Sequence, residues 1–274
     1  FRSAHLDLGN LYSAQHQLDE ALASYDQAIA LNSASAEAHC YRGAVLRQIG
    51  KVQEALASYD QAISLKPNFA EAYNNRGNAY RELREFPRAL EDFDRAVALD
   101  PRYTQAFFNR GNTLKDLQRP NEALECFVRV LALDSSFLEA RLNKALILAE
   151  IDQLELATKE FDQVVLLDPN NQVALFNRGT ALIGLQRFEN ALADFDQLIA
   201  LAPNHTGAHF NRSVALMHLG RPDLAIAGTE RALVNGPADA YVFNNRGQWL
   251  QNILRLDEAI ANYERAIKIG RAHV

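Results

Sequence analysis

The chain has 274 residues, 48% of them hydrophobic, with one tryptophan, two cysteines and a formal net charge of −6. That composition suits a folded chain and argues against a low-complexity one, and no apolar run approaches the roughly 18 residues a membrane-spanning helix needs, so no membrane insertion is expected. The negative balance gives no general attraction for nucleic acid. Cys40 and Cys126 stand far apart in sequence, which predicts reduced thiols and a cytoplasmic protein. The sequence opens on Phe1 without an initiator Met, so a cut or processed N-terminus is expected and the lack of a targeting signal carries little weight.

From the first residues onward one pattern returns every 34 positions. Alanine stands at 21, 55, 89, 123, 157, 191, 225 and 259, and four residues after it come Tyr25, Tyr59, Phe93, Phe127, Phe161 and Phe195, then Thr229, then Tyr263. A period of this length marks a stack of supersecondary units that bury their faces against neighbours. It divides residues 2–273 into a single array of eight units: 2–35, 36–69, 70–103, 104–137, 138–171, 172–205, 206–239 and 240–273.

The third unit shows how each is built. Ala72, Tyr73, Gly77, Tyr80 and Leu83 share one helical stripe, and Phe86, Ala89, Leu90, Phe93, Ala96 and Val97 share a second, so the unit reads as two helices. Pro87 falls in the first turn of the second helix, where a missing N–H costs little, as do Pro120 and Pro222 near it in their own units. Pro67, Pro101, Pro169, Pro203 and Pro237 end second helices.

Gly9, Gly43, Gly77, Gly111, Gly179 and Gly247 sit in mid-helix at a cost of ~1 kcal/mol relative to alanine, which predicts close contact with the aromatic of the second helix. Ala145 and Ser213 fill the same slot, fitting a demand for small size. The seventh unit, with Ser213, Gly228, Thr229 and Asn235 at or near packing slots, is expected to be the softest.

The spacing of small, aromatic, alanine and proline positions resembles the tetratricopeptide repeat over essentially the whole chain. The resemblance implies an all-α fold, a right-handed superhelical solenoid of eight 34-residue helix-turn-helix units, with first helices lining an inner groove.

A basic residue precedes the glycine slot (Arg42, Arg76, Arg110, Lys144, Arg178, Arg212, Arg246), and an acid follows the aromatic slot (Asp26, Asp60, Asp94, Asp162, Asp196, Glu230, Glu264), with Val128 interrupting. The gap at Val128 faces the one lysine if each acid pairs with the base of the next unit. Bridges sixteen residues apart, starting with Asp26 to Arg42, are therefore predicted between units.

The candidate binding residues lie on the first helices. Asn75, Asn109, Asn143, Asn177, Asn211 and Asn245 occupy one slot in six successive units. Each amide offers a donor and an acceptor, so the series predicts a ladder gripping the backbone of an extended peptide. Beside it stand Phe108, Phe176 and Phe210, and one turn on Asn78 and Asn112; Arg47, Arg81 and Lys115 mark an early basic rim, with Ile183 and Met217 in the same slot later. The ladder is similar to the asparagines of the repeat arm of protein O-linked N-acetylglucosamine transferases. Repeat domains that clamp chaperone tails carry a lysine just before the ladder slot, and this chain has none there.

No glycine-rich phosphate loop, zinc-spaced cysteine cluster or nucleophile elbow is present, so neither cofactor nor catalysis is expected. His205 and His209 are four apart but lack a third ligand, and His5, His39 and His209 fall in an aromatic packing slot. The sequence therefore predicts a non-catalytic scaffold whose partner is a protein or extended peptide segment. A second reading makes it the substrate-recruiting arm of a larger enzyme such as an O-linked glycosyltransferase. A third is homo-oligomer formation through the last unit, where Ile260, Tyr263 and Ile267 lack a polar closing helix.

Overall fold

The computed structural model describes residues 2–235 and 239–272, and every regular element among them is a helix. Pro237, expected to end a second helix, and His273 lie outside these residues, as does the side chain of Asn235. The chain packs as two compact units divided between Ala140 and Arg141. In the first run α1 (Arg2–Ala14), α2 (Leu18–Leu31), α3 (Ala36–Gln48), α4 (Val52–Leu65), α5 (Ala70–Glu82), α6 (Phe86–Leu99), α7 (Thr104–Asp116) and α8 (Pro120–Leu133). Then come α9 (Leu138–Glu150), within which the division falls, α10 (Leu154–Leu167), α11 (Gln172–Gly184), α12 (Phe188–Leu201), α13 (Thr206–His218), α14 (Pro222–Asn235), α15 (Ala240–Asn252) and α16 (Leu256–Ala272). These sixteen helices fit the eight predicted hairpins, with Pro87 and Pro120 in the first turns of α6 and α8.

Within each hairpin the small slot meets the aromatic slot. A Cβ added at Gly77 would stand 2.8 Å from the Phe93 ring, and at Gly9, Gly43, Gly111, Gly179 and Gly247 the nearest atom would likewise belong to the ring of their own unit. Phe93, Phe127, Phe161 and Phe195 are fully buried, and the alanine slot is closed in all eight units. Each buried ring contributes roughly 1.5–3 kcal/mol of transfer free energy. The seventh unit solves the contact differently: Ser213 fills the small slot, and its hydroxyl would lie 2.3 Å from a Cβ at Gly228. Buried Ser213 and Thr229 then donate to the carbonyls of His209 and Ile226, so polar groups return to their own helices where an aromatic would have packed.

The turn between the two helices carries a feature the sequence pattern does not announce. Its residue at positions 16, 50, 84, 118, 152, 186, 220 and 254 has positive φ, and only Gly50 and Gly220 are glycines. The first helix ends there with paired capping bonds: the Arg84 N–H donates to the Arg81 carbonyl and the Glu85 N–H to that of Tyr80. This is the left-handed helix stop that satisfies the last carbonyls, and most units build it from ordinary residues against a strain of roughly 1–2 kcal/mol.

Charged pairs tie consecutive hairpins together. The predicted bridges form: Arg42 donates to Asp26 at 2.7 Å, Arg76 to Asp60 at 2.6 Å, Arg110 to Asp94 at 2.6 Å, Arg178 to Asp162 at 2.8 Å and Arg212 to Asp196 at 2.5 Å, and Arg246 pairs with Glu230. A second partner, absent from the prediction, lies sixteen residues downstream in the base's own unit. Arg76 holds Asp92 through Nε and Nη2 at 2.8 and 2.6 Å, and Arg178 holds Asp194 at 2.9 and 2.5 Å. Ser58 and Cys126 accept from Arg42 and Arg110 at the same slot. Lys144 donates to Glu160, sixteen residues downstream in its own hairpin, at 2.6 Å. Burial pushes the Asp92 and Asp194 carboxyls up, while the bidentate guanidinium works against that rise.

Five variants have expected outcomes in urea unfolding. Gly77→Ala should destabilise by ~1–3 kcal/mol through overpacking against Phe93, and Gly50→Ala by about 1 kcal/mol through its positive φ, whereas Gly270→Ala, with open space around it, should lose nothing. Arg76→Met strands Asp92, which is 3% exposed, and should cost ~3–5 kcal/mol. Arg212→Met frees only the exposed Asp196 and should cost ~0–1 kcal/mol; equal losses would contradict the two-partner account. Amide exchange should be fastest, among internal hairpins, in α13 and α14, and uniform protection would contradict the softness assigned to that pair.

Candidate functional site

The first helices of neighbouring hairpins lie side by side, and their side chains bond across. In the first compact unit Arg47 pairs with Glu82, and Arg81 donates to Asp116 Oδ2 at 3.0 and 2.8 Å. In the second, Asn211 Nδ2 donates to Thr180 Oγ1 at 3.0 Å, and the Phe210 and Tyr241 rings lie 5.5 Å apart. A face built from first helices thus exists in each unit, and the asparagine slot lies on it.

The amides do not behave alike along that face. Asn109 is only 7% exposed: its Nδ2 donates to Asn74 Oδ1 at 2.9 Å and its Oδ1 accepts from Gln105 at 3.1 Å. This corrects its predicted role, because both ends of the amide are spent inside the wall. Half-buried Asn75 donates to Cys40 Sγ at 3.6 Å and accepts from Asn74 at 3.4 Å. Asn143, Asn112, Asn78 and Lys115 are half-buried.

Asn177, Asn211 and Asn245 share a different arrangement. Asn177 Nδ2 donates to the Val173 carbonyl and Asn245 Nδ2 to that of Tyr241, each at 2.8 Å, while Asn211 uses Thr180. Among the described residues nothing donates to their Oδ1 atoms, and all three side chains are half-buried. Three successive rungs therefore present an amide oxygen that no protein donor among the described residues engages.

The aromatics beside the ladder are partly folded into helix contacts. Phe108 packs on Phe127 and Phe137 at 5.9 and 4.9 Å, Phe176 on Phe195 and His205 at 6.2 and 5.2 Å, and Phe210 on Tyr241 and Trp249. Each stays half-buried, so an edge of apolar surface remains. Of the expected basic rim, Arg47 and Arg81 are paired with Glu82 and Asp116 and offer no spare positive charge. The signal for those acids was present as a base and an acid 35 residues apart, one register slip from the repeat. Asn78 lines a pocket of ≈ 440 Å³ with Arg81, Glu82, Asp116, Arg84 and Phe86.

The remaining polar candidates have structural partners. His205 caps α13, its Nδ1 accepting from the Ala208 N–H at 3.0 Å, and His209 is 4% exposed with Nε2 2.7 Å from the Pro203 carbonyl. His39 and Tyr73 make the same reach to the carbonyls of Ser33 and Pro67. Cys40 and Cys126 are buried and unbridged, and burial pushes the Cys40 thiol up to about 12. No helix among the described residues is long and apolar enough to cross a membrane.

The structure is similar to that of YrrB, described as a TPR protein with an unusual peptide-binding site, at 28% identity and a TM-score of 0.62 over 67% of this chain and 95% of that one. It is similar in fold to pilF of Pseudomonas aeruginosa (22% identity, TM-score 0.67, 76% and 94% covered) and to a tetratricopeptide repeat protein from Parabacteroides merdae (19%, 0.59, 94% and 98%). Among curated proteins none matches. Sequence profiles described as TPR repeat match residues 9–48 and 43–83, and profiles described as tetratricopeptide repeat match 70–103, 104–137, 138–171 and 176–240. With those matches extending over most of its length, the chain belongs to the tetratricopeptide repeat family.

Proposed function

We propose that this chain is a non-catalytic interaction scaffold that holds an extended polypeptide segment against the face of its first helices. The observation that carries the reading is the run of unfilled acceptors on Asn177, Asn211 and Asn245. An acceptor without a partner suits a ligand with free N–H groups, and the backbone of an extended segment has them, whereas a helix has already used its own. Helices in contact stand about 8–10 Å apart and an extended chain rises ~3.4 Å per residue, so three rungs correspond to roughly five or six residues of ligand. The peptide-binding site named for YrrB supports the same reading by similarity.

The contact set differs from the ladder expected along the whole chain. Asn109 drops out as a wall residue, Asn75 is weakly engaged with its neighbours, and Phe176 and Phe210 supply apolar edges next to the free oxygens.

Random peptides displayed on a surface and probed with the intact chain provide the test. Replacing Asn177, Asn211 and Asn245 together with Ala should leave helicity unchanged and weaken the selected peptides. At ~0.5–1.5 kcal/mol per hydrogen bond, the loss is about ten- to a thousand-fold. Unchanged affinity in the triple variant would reject the reading.

A further inference from the structure

Helices α11, α13 and α15 differ from their counterparts nearer the N-terminus in the charge they carry. Across these three helices there is no aspartate or glutamate, and each has a single arginine. All three arginines are already committed to second helices: Arg178 to Asp162 and Asp194, Arg212 to Asp196, Arg246 to Glu230. The two histidines are occupied as well, His209 buried against the Pro203 carbonyl and His218 stacked on Phe188 at 4.4 Å. By contrast, α3, α5 and α7 carry the Arg47–Glu82 and Arg81–Asp116 pairs on the corresponding face. Where those helices have Arg81 and Glu82, α11 has Ile183 and Gly184, and α13 has Met217 and His218.

The surface that replaces charge is apolar and held in place. Val173 is 47% and Tyr241 63% exposed. Phe176 lies across the neighbouring helix because Gly207 makes room for it: a Cβ there would stand 3.0 Å from the ring. Val214 and Met217 are half-buried against the cluster of Leu216, Trp249 and Leu250. Val173 and Tyr241 also supply the carbonyls that hold the Asn177 and Asn245 amides.

From this arrangement we infer that the α11–α13–α15 face selects extended segments with uncharged, apolar side chains and rejects charged ones. The inference rests on the peptide-holding reading and adds a chemical class of ligand to it. A ligand backbone finds acceptors at Asn177, Asn211 and Asn245, and apolar side chains lose water against Phe176 and Tyr241 at a gain. A charged side chain laid on the same face gives up hydration and meets no uncommitted counter-charge on α11, α13 or α15, which is unfavourable. An amphipathic helix would satisfy the apolar edges but leave the oxygens unfilled, so the extended form is the one that uses both features.

The test uses the full chain and synthetic peptides alternating valine and threonine with charges only at their termini. Companion peptides carry lysine or glutamate at alternate positions, or methylated backbone nitrogens. Fluorescence anisotropy should show the uncharged peptide binding at least about tenfold more tightly than either charged version and losing affinity on methylation. Val214→Glu should weaken the uncharged peptide and strengthen the lysine-bearing one, while Val214→Thr keeps the original order and checks that the position tolerates change. Charged peptides binding as well as the apolar one would overturn this selectivity and leave the peptide-holding reading standing. Binding insensitive to methylation, as a helical ligand would give, overturns the extended mode, and absence of binding by any peptide in both this series and the displayed library overturns both.

Discussion

An aromatic ring lying against bare backbone sets the geometry of most of these hairpins. The glycine of the first helix leaves no side chain between itself and the ring of the second, at 2.5–3.0 Å from where a Cβ would be. That separation lets the two helices approach until the alanine slot closes behind them. Everything on the outer faces inherits its position from this contact. The arginines stand one residue before the glycine, so the turn of helix that buries glycine also aims guanidinium groups at the acids of two second helices. The asparagines stand one residue earlier still, and are carried to the opposite edge of the same helix.

The fold was legible because its cause repeats. Gly77 opposite Phe93 could be inferred from six recurrences of the same pair of slots, and the bridge from Asp60 to Arg76 from the coincidence of Val128 with Lys144. Asp92 and Asp194 escaped notice because their slot varies between serine, aspartate, cysteine, glutamate, glycine and asparagine, and a slot without one chemical type leaves no period to detect. The left-handed turn residue was hidden for a related reason. Arg84, Gln118, Asp152 and Leu254 share a backbone conformation and no side-chain property.

The candidate face was legible only in outline. Periodicity assigned the six asparagines to one slot, but the neighbours decide what each amide does. Asn74 and Gln105 draw Asn109 into the wall, whereas Val173, Thr180 and Tyr241 each take one hydrogen from Asn177, Asn211 and Asn245 and leave an oxygen over. The rim arginines were misjudged because their acids lie at a spacing of 35, one residue off the repeat. A register slip of one residue is invisible to a search for exact recurrence, yet on side-by-side helices it is the spacing at which long side chains meet.

The two-sided arginine also bears on how such a chain changes length. The guanidinium groups of Arg76 and Arg178 each look sixteen residues back and sixteen forward, and both partners fall within one period. Duplication or loss of any whole 34-residue block therefore leaves every surviving base with an acid-slot residue on either side, wherever in the block the recombination breakpoint falls. An array wired this way can be lengthened or shortened in evolution without rewriting its junctions. Only an insertion out of phase with the period would strand a buried carboxylate such as Asp92 or Asp194.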